Sequence, residues 1–279
     1  MEIIGVDIGF SLNRRTSGVA RLSGSKLVFD RTGSNWASRV AVIGDNIAEV
    51  TAMDGPLLGD SNCRKRVCES IFAMGAFSRR CKPGFSHVAG TGLRFRAAGK
   101  ETAKQLTKLT SGNDMVSPFP RVWSTRNLVE AFPNAFLGVM IPDARFNSMP
   151  KLRRGKKFDW LYEQCRDALA FRRVSQAIGL ENAPDLLVTI EATRDHEKRA
   201  ALVCLLTAAA VAVGRYTAIG NDRAGYFFLP PWDSWAMWAR QELDKQRNRV
   251  ASVDVWINGS CFNVSDNLPG SVSADFGPF

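Results

Sequence analysis

Residues 2–9 read Glu-Ile-Ile-Gly-Val-Asp-Ile-Gly, a short apolar run that closes with an acid and a glycine. A run of this length, bounded by a turn residue, is typical of a buried strand. Ser17 to Leu22 and Lys26 to Asp30 follow with turn residues between them, which predicts a hairpin. A helix is predicted over Trp36 to Asn46, and Glu49 to Asp54 forms another strand. Three strands, a helix and a further strand predict a mixed sheet and an α/β fold.

The remaining elements follow from apolar periodicity and from Gly and Pro positions. We predict helices over Asn62 to Phe77, Glu101 to Leu109, Pro133 to Met140, from Lys157 to about Ile178, Ala183 to Ile190 and Asp195 to Val213, and strands over Arg126 to Ala131 and Tyr226 to Leu229. Arg79 to Gly99 shows no clear period and is expected to be a long loop.

The composition shifts after Pro230-Pro231, so we divide the chain into residues 1–231 and a carboxy-terminal part, 232–279. The second part is expected to hold a Trp-rich helix, a strand and a loose tail from Asn263 onward. Trp232, Trp235 and Trp238 fall three apart, and this stripe favours core packing over a platform for stacked bases.

The 279 residues are 45% hydrophobic, which suits one large domain, or a domain with an appendage, with a single core, and they carry a net charge of +10. The charge is unevenly placed, because residues 60–160 hold 19 Lys/Arg against 7 Asp/Glu, a balance of +12.

The longest apolar run, Ala200 to Val213, has 14 residues, fewer than the roughly 20 that span a bilayer, and predicts a buried helix. The acidic start at Glu2 and Asp7 argues against a secretory or mitochondrial signal, so the expected compartment is the cytoplasm.

Six cysteines at uneven spacing indicate free thiols rather than a disulfide framework. A zinc site built from Cys63, Cys68, Cys81 and His87 is the alternative. We disfavour zinc, because the close C-x2-C spacing of common sites is absent and residues five apart do not share a helix face.

Acids stand at the ends of apolar elements or at the start of the buried helix. They are Asp7, Asp54, Glu130, Asp195 and Glu197. Each acid alone suits a turn or a helix cap, and acids in the first turn of a helix are also stabilised by the helix dipole without any metal. Together, at one edge of a sheet, they would repel each other unless cations bind, so the set predicts Mg²⁺ or Mn²⁺. Asp195 and Glu197 are two apart, so at most one is a direct ligand, and for His196 we favour a structural role.

Several short motifs occur in an order that is similar to the domain-of-unknown-function family 429. They are Ile4-Gly5-Val6-Asp7, Met53-Asp54-Gly55-Pro56, the stretch from Arg79 to Ser86, Glu130-Ala131-Phe132-Pro133, His196-Glu197 leading to Ala201–Ala208, and Gly225–Pro230. The resemblance covers residues 3 to 231. Members of that family are regarded as predicted nucleases of RNase H-like fold, so the resemblance implies an RNase H-like mixed sheet flanked by helices, with a basic, loop-rich insertion at about 60–160.

The resemblance also implies roles for the acids. Asp7 would be the acid of the first strand and Asp54 that of a later one, Glu130 the acid of the Glu-x-x-Pro segment, and Asp195 or Glu197 the acid of the last helix. The chain departs from the family at Arg199-Ala200, where members usually carry an Asp. With the site intact, two ions bridged by Asp7 would activate water and stabilise the leaving oxygen of a phosphodiester.

The basic segment supplies candidate phosphate ligands. They are Arg79, Arg80, Lys82, Arg94, Arg96, Lys151, Arg153, Arg154, Lys156 and Lys157. These residues predict a nucleic acid as the partner, and the short apolar run Ala200 to Val213 gives no reason to expect a membrane.

Two other functions stay open at this stage. A nucleic-acid-binding protein that has lost a metal ligand would explain Arg199. A phosphotransferase of the actin-like type is suggested by Asp7-Ile8-Gly9 with Thr16-Ser17-Gly18, although a second phosphate loop is missing from the sequence.

Overall fold

A computed structural model describes residues 1–9, 11, 14–57, 66–81, 86, 90–112, 118–123, 125–153, 155–181 and 183–269. Its strands are β1 (Glu2–Asp7), β2 (Ser17–Ser23), β3 (Lys26–Thr32), β4 (Val50–Asp54), β5 (Leu128–Ala131), β6 (Thr217–Asn221), β7 (Gly225–Leu229), β8 (Asp254–Ile257) and β9 (Ser260–Phe262). Its α-helices are α1 (Trp36–Ile43), α2 (Val67–Phe72), α3 (Gly75–Arg80), α4 (Thr91–Leu106), α5 (Pro133–Gly138), α6 (Asp143–Asn147), α7 (Lys157–Asp167), α8 (Ala170–Ala177), α9 (Pro184–Ala192), α10 (His196–Ala212) and α11 (Met237–Arg247).

All nine of these strands belong to one mixed sheet, in the order β3-β2-β1-β4-β5-β7-β6-β8-β9. The first three strands form an antiparallel meander, and β1, β4, β5 and β7 run parallel to one another. The remaining strands add antiparallel pairs at the other edge. This arrangement confirms the predicted α/β class with a mixed sheet flanked by helices.

Side chains alternate along the central strands and supply two separate apolar cores. Ile3, Ala52 and Val129 face the larger core, which includes α10. Ile4 and Met53 face a smaller core on the opposite side, which α1 and α4 complete. Because successive side chains of a strand point to opposite faces, this alternation fixes the face of every other residue on these strands.

Helix α10 packs so closely against the sheet that backbone atoms of the helix touch the strands, and two glycines make this possible. A Cβ atom added to Gly5 would lie 2.2 Å from the Leu205 nitrogen, and one added to Gly18 would lie 2.0 Å from the Glu197 oxygen. All residues from Arg199 to Val211 are buried, as the apolar run predicts. Among the described residues, no helix is both long enough and apolar enough to cross a bilayer.

The structure corrects the predicted loop at Arg79 to Gly99, because α4 already begins at Thr91. Gly99 indicated a loop, but it packs inside this helix, where a Cβ atom would lie 2.7 Å from the Pro56 oxygen. The helix predicted over Asn62 to Phe77 is likewise divided into α2 and α3, and residues 58–65 lie outside the described residues.

The carboxy-terminal part continues the main sheet and its core instead of forming an appendage. β8 pairs with β6, a strand that the sequence analysis missed. Trp232, Trp235 and Trp238 are buried in the larger core, which confirms the core-packing interpretation of the stripe. The expected loose tail is docked as far as the structure describes it, because the Trp232 indole donates to the Pro269 carbonyl at 2.9 Å.

Candidate active site

Asp7 and Asp54 lie side by side at the carboxyl ends of two central parallel strands. They are register partners on β1 and β4, so their side chains leave the sheet on the same face. Both residues are only partly buried, and α10 packs across that face. In open α/β sheets this edge is where ligands commonly bind.

The two carboxyl groups are held in an environment that disfavours their double ionisation. Burial raises the pKa of Asp7 well above its usual range, and the neighbouring carboxylates of Asp54 and Glu197 raise it further. Burial, followed by the charge of Glu130, raises the pKa of Asp54 to about 7. A pair of this kind keeps a proton or attracts a cation near neutral pH.

Glu197 is the acid of α10 whose charge raises the pKa of Asp7 more than that of Asp195 does. The backbone carbonyl of Glu197 packs against Gly18, which is the register partner of Asp7. Ala201, one helical turn later, contacts the same glycine. The Glu197 carboxylate lies 3.6 Å from the Arg31 guanidinium.

Asp195 caps the same helix. Its Oδ1 accepts from the Lys198 backbone nitrogen at 3.1 Å, and its Oδ2 lies 3.3 Å from Arg31. Asp195 and Glu197 both raise the pKa of Asp7, which places both charges within electrostatic reach of it. Because the Asp195 carboxylate caps the start of α10, Glu197 is the better candidate for a third acid beside Asp7 and Asp54.

Arg199 does not occupy the position that would close the cluster. It lies two residues from both Glu197 and Ala201, and its side chain packs against α7, 4.8 Å above the Tyr162 ring. It also pairs with Asp159 and Glu163, at 3.4 Å each. The sequence departure therefore concerns a residue that joins two helices.

His196 is held by α7 as well. Its Nδ1 lies 3.0 Å from Asp159 Oδ1, and its ring packs edge-on against Phe158. These contacts agree with the structural role that the sequence analysis favoured.

Glu130 is directed away from Asp7 and Asp54. It is the register partner of Met53, and strand alternation places it on the opposite face of the sheet. Arg66 donates to both of its oxygens, at 2.7 and 2.8 Å, and also to Glu69 at 2.9 Å. Glu130 is thus part of a buried ion-pair network, and the sequence analysis missed Arg66 because a single Arg carries no periodic signal.

Arg39 is a second residue that the sequence analysis missed. It is 1% exposed and donates to Thr102 and Gln105 of α4 at 3.0 and 3.1 Å. Its charge lowers the pKa of Asp7, opposing the effect of burial, while burial lowers the pKa of Arg39 itself to about 10. The sequence signal that could have found it is a lone Arg in the mostly apolar stretch Trp36–Ile43.

The predicted phosphate ligands are divided between the surface and the interior. Arg79, Arg94, Lys151, Arg153 and Lys156 are exposed, and Lys157 is half-buried. Arg96 is buried, and Arg80 lies over the rings of Phe146 and Trp238 and pairs with Asp143. Burial makes Arg96 a poor phosphate ligand, and the ring and ion-pair contacts of Arg80 already engage its guanidinium group. Lys82 and Arg154 lie outside the described residues.

Cys68 and Cys81 are fully buried, and burial raises the pKa of both thiols, that of Cys68 to about 12. The other two residues of the zinc alternative, Cys63 and His87, lie outside the described residues. Within the described part of the chain, no group of three or more His, Cys, Asp or Glu side chains is arranged to hold a metal. The adjacent Asp7 and Asp54 carboxylates nonetheless supply the hard oxygen ligands that Mg²⁺ and Mn²⁺ prefer.

Comparison with models of known protein families, with curated proteins and with solved structures found no match to this chain.

Proposed function

We propose that the protein is a divalent-metal-dependent nuclease built on an RNase H-like sheet. The observation that carries this proposal is the pairing of Asp7 with Asp54 at the ends of β1 and β4. The five strands β3-β2-β1-β4-β5, with an antiparallel meander followed by two parallel strands, agree with the RNase H-like fold that the sequence resemblance implies.

The chemistry of the site suits a cation. Two partly buried carboxylates with raised pKa values are relieved of their repulsion when a divalent ion binds between them. When bound, Mg²⁺ or Mn²⁺ supplies Lewis-acid stabilisation of phosphodiester oxygens and lowers the pKa of a water molecule. Asp7 and Asp54 would hold the ion, and Glu197, whose charge raises the pKa of Asp7, is the candidate for a third ligand.

The protein residues around the pair fix its position. The Ser17 hydroxyl donates to the Asp7 carbonyl at 2.5 Å, which holds the end of β1. Gly5 and Gly18 set the distance between α10 and the sheet and thereby the approach of Glu197. Arg31 pairs with Glu197 and Asp195 and orients both acids.

The proposal is tested by cleavage assays on labelled single-stranded, duplex, hybrid and branched nucleic acids in Mg²⁺ and in Mn²⁺. We expect the wild type to cut at least one substrate and Asp7→Asn and Asp54→Asn to lose at least a hundredfold in rate. Asp45→Asn is the matched control, because Asp45 is an exposed acid away from the pair. Cleavage by Asp7→Asn at the wild-type rate, or no cleavage by the wild type in either metal, contradicts the proposal.

A second candidate function is a nucleic-acid-binding protein without catalysis. The observation in its favour is that the described residues offer no group of three metal-ligating side chains. Salt-dependent binding that is unchanged by Asp7→Asn, together with no cleavage, would support this function instead.

A further inference from the structure

A cavity of about 600 Å³ lies between β3 and the loop that leads from α9 into α10. Its wall carries four cations and two acids, so its lining has an excess of positive charge. The charged residues are Arg15, Arg31, Arg194, Lys198, Asp30 and Asp195. We call it the arginine cavity. It lies outside the basic segment that the sequence analysis singled out.

Arg31 of the arginine cavity and Asp7 of the carboxylate pair stand at the same level of the sheet, on β3 and β1 with β2 between them. Arg31 is the register partner of Gly18, which is in turn the register partner of Asp7. Arg31 and Asp7 thus lie in one row across the sheet, two strand spacings or about 10 Å apart, and on the same face. Gly18 between them has no side chain, so the Glu197 carbonyl occupies that place.

Two arginines of the arginine cavity hold each other in place through their backbone carbonyls. Arg31 donates from Nε and Nη2 to the Arg15 carbonyl at 3.0 and 2.6 Å, and Arg15 Nη2 donates to the Arg31 carbonyl at 2.5 Å. Arg31 also pairs with Asp195 at 3.3 Å and Arg15 lies 3.8 Å from Asp30, so each arginine has an acid beside it. The lining as a whole still carries four cations against two acids, and guanidinium groups match the geometry of phosphate. The arrangement therefore suits a phosphate.

The remaining walls suit a larger ligand than a single phosphate. Lys198 Nζ pairs with Asp30 at 2.8 Å and lies 5.5 Å from the centre of the Phe29 ring. Phe29 is only partly buried, so an aromatic face lines the same cavity as the cations. Cations that track a backbone beside an aromatic ring are typical of sites for single-stranded nucleic acid.

We propose that the arginine cavity binds the phosphate backbone of a nucleic-acid strand on one side of the bond to be cut. The inference rests on the proposed function for the statement that this strand is the substrate. The cations of the arginine cavity would hold one or two phosphates beside Arg31, whose position on the sheet is about 10 Å from that of Asp7, and this spacing would set which phosphodiester reaches the carboxylates.

The test measures binding without catalysis. Anisotropy of a labelled single-stranded oligonucleotide, as DNA and as RNA, is recorded in EDTA at several salt concentrations. We expect Arg194→Ala and Arg15→Ala to weaken binding several-fold and to lower the slope of log affinity against log salt by about 1 each. Lys26→Ala is the matched control, because this exposed cation lies at the other end of β3, and it should leave both quantities unchanged.

The outcomes separate this inference from the proposed function. If both arginine variants, with unchanged thermal unfolding, bind as the wild type does, the arginine cavity is not the strand site, whatever the cleavage assay shows. If the variants lose binding but the wild type does not cut, the cavity assignment stands as a nucleic-acid site and the nuclease proposal fails. If inorganic phosphate or ATP binds through Arg194 while neither oligonucleotide does, the strand assignment is overturned in favour of a small phosphate compound.

Discussion

Arg66 donates to both carboxylate oxygens of Glu130, at 2.7 and 2.8 Å, in the interior of the protein. Their side chains are 4% and 3% exposed, so water screens this pair very little. Removing one member of such a pair leaves the other charge buried and uncompensated.

We therefore expect Arg66→Ala to lower the free energy of unfolding by about 3 to 5 kcal/mol, measured by urea denaturation. The control is Arg172→Ala, which breaks a pair with Glu191 on a half-exposed helix surface and should cost about 1 kcal/mol or less. An equal decrease in the free energy of unfolding for the two variants would show that burial does not make the Arg66–Glu130 pair more important for stability.

The close approach of α10 predicts a steric effect at Gly5. Gly5→Ala places a methyl group 2.2 Å from a backbone nitrogen of the helix, which requires the helix to move. Overpacking of this kind costs about 1 to 3 kcal/mol, and we expect a matching loss in thermal unfolding experiments. Gly33→Ala is the control, because its new methyl group meets only side-chain atoms at 3.1 Å or more and should change stability little.

The raised pKa of Asp54 predicts how stability depends on pH in metal-free buffer. The folded state keeps the proton up to about pH 7, whereas an unfolded Asp loses it near pH 4. Since the folded state binds more protons at Asp54 between these values, the contribution of Asp54 to stability should fall as the pH rises from 4 to 7 and then level off. Urea titrations of the wild type and Asp54→Asn across this range should show a smaller fall in the variant. An unchanged fall would mean that Asp54 does not titrate as its environment suggests.

Divalent ions should reverse this loss above pH 7. Mn²⁺ at a hundred times its dissociation constant should stabilise the wild type by about 2.7 kcal/mol, because it binds only the folded state. Asp7→Asn and Asp54→Asn should lose most of this stabilisation, whereas Asp45→Asn should keep it. Differential scanning fluorimetry with and without EDTA measures the effect, and equal Mn²⁺ shifts in all four proteins would argue against a metal at the pair.

Arg79 and Arg80 are adjacent in sequence and should behave differently. Arg80 covers the Trp238 ring at 4.3 Å and pairs with Asp143, whereas Arg79 is exposed. We expect Arg80→Ala to cost about 1 to 3 kcal/mol of stability through lost packing, and Arg79→Ala to cost less than about 0.5 kcal/mol. Thermal unfolding of the two variants tests this difference, which would vanish if Arg80 were a surface cation.

The sequence predicts the elements of the sheet half that contains Asp7 better than those of the other half. Residues 2–54 alternate clear apolar runs with turn residues, and their observed strands start within one residue of the predicted ones. The hairpin of β6 and β7 was half missed, because Thr217–Asn221 is a short buried strand with a glycine and lacks alternation. β1 and β4 are buried on both faces as well but read as apolar runs, whereas only Ala218 and Ile219 of β6 are apolar.

Of the candidate site, the sequence predicts only the acids that stand at the ends of strands. Asp7 and Asp54 close apolar runs, and such acids are visible in a sequence. The face on which an acid points depends on register, which pairs Glu130 with Met53 instead of Asp54 and is set by tertiary packing. The arginine cavity joins residues 15–31 to residues 193–198, and no local pattern connects segments so far apart.

The position of α10 late in the chain has a consequence for biosynthesis. The helix begins 189 residues after Asp7, yet it covers the apolar face of β1, β2 and β4. At ribosomal rates of about 5 to 20 residues per second, that face stays uncovered for roughly 10 to 40 s after it has been made. A nascent chain that stops before residue 196 should therefore be retained by chaperones or aggregate, although it already contains both aspartates.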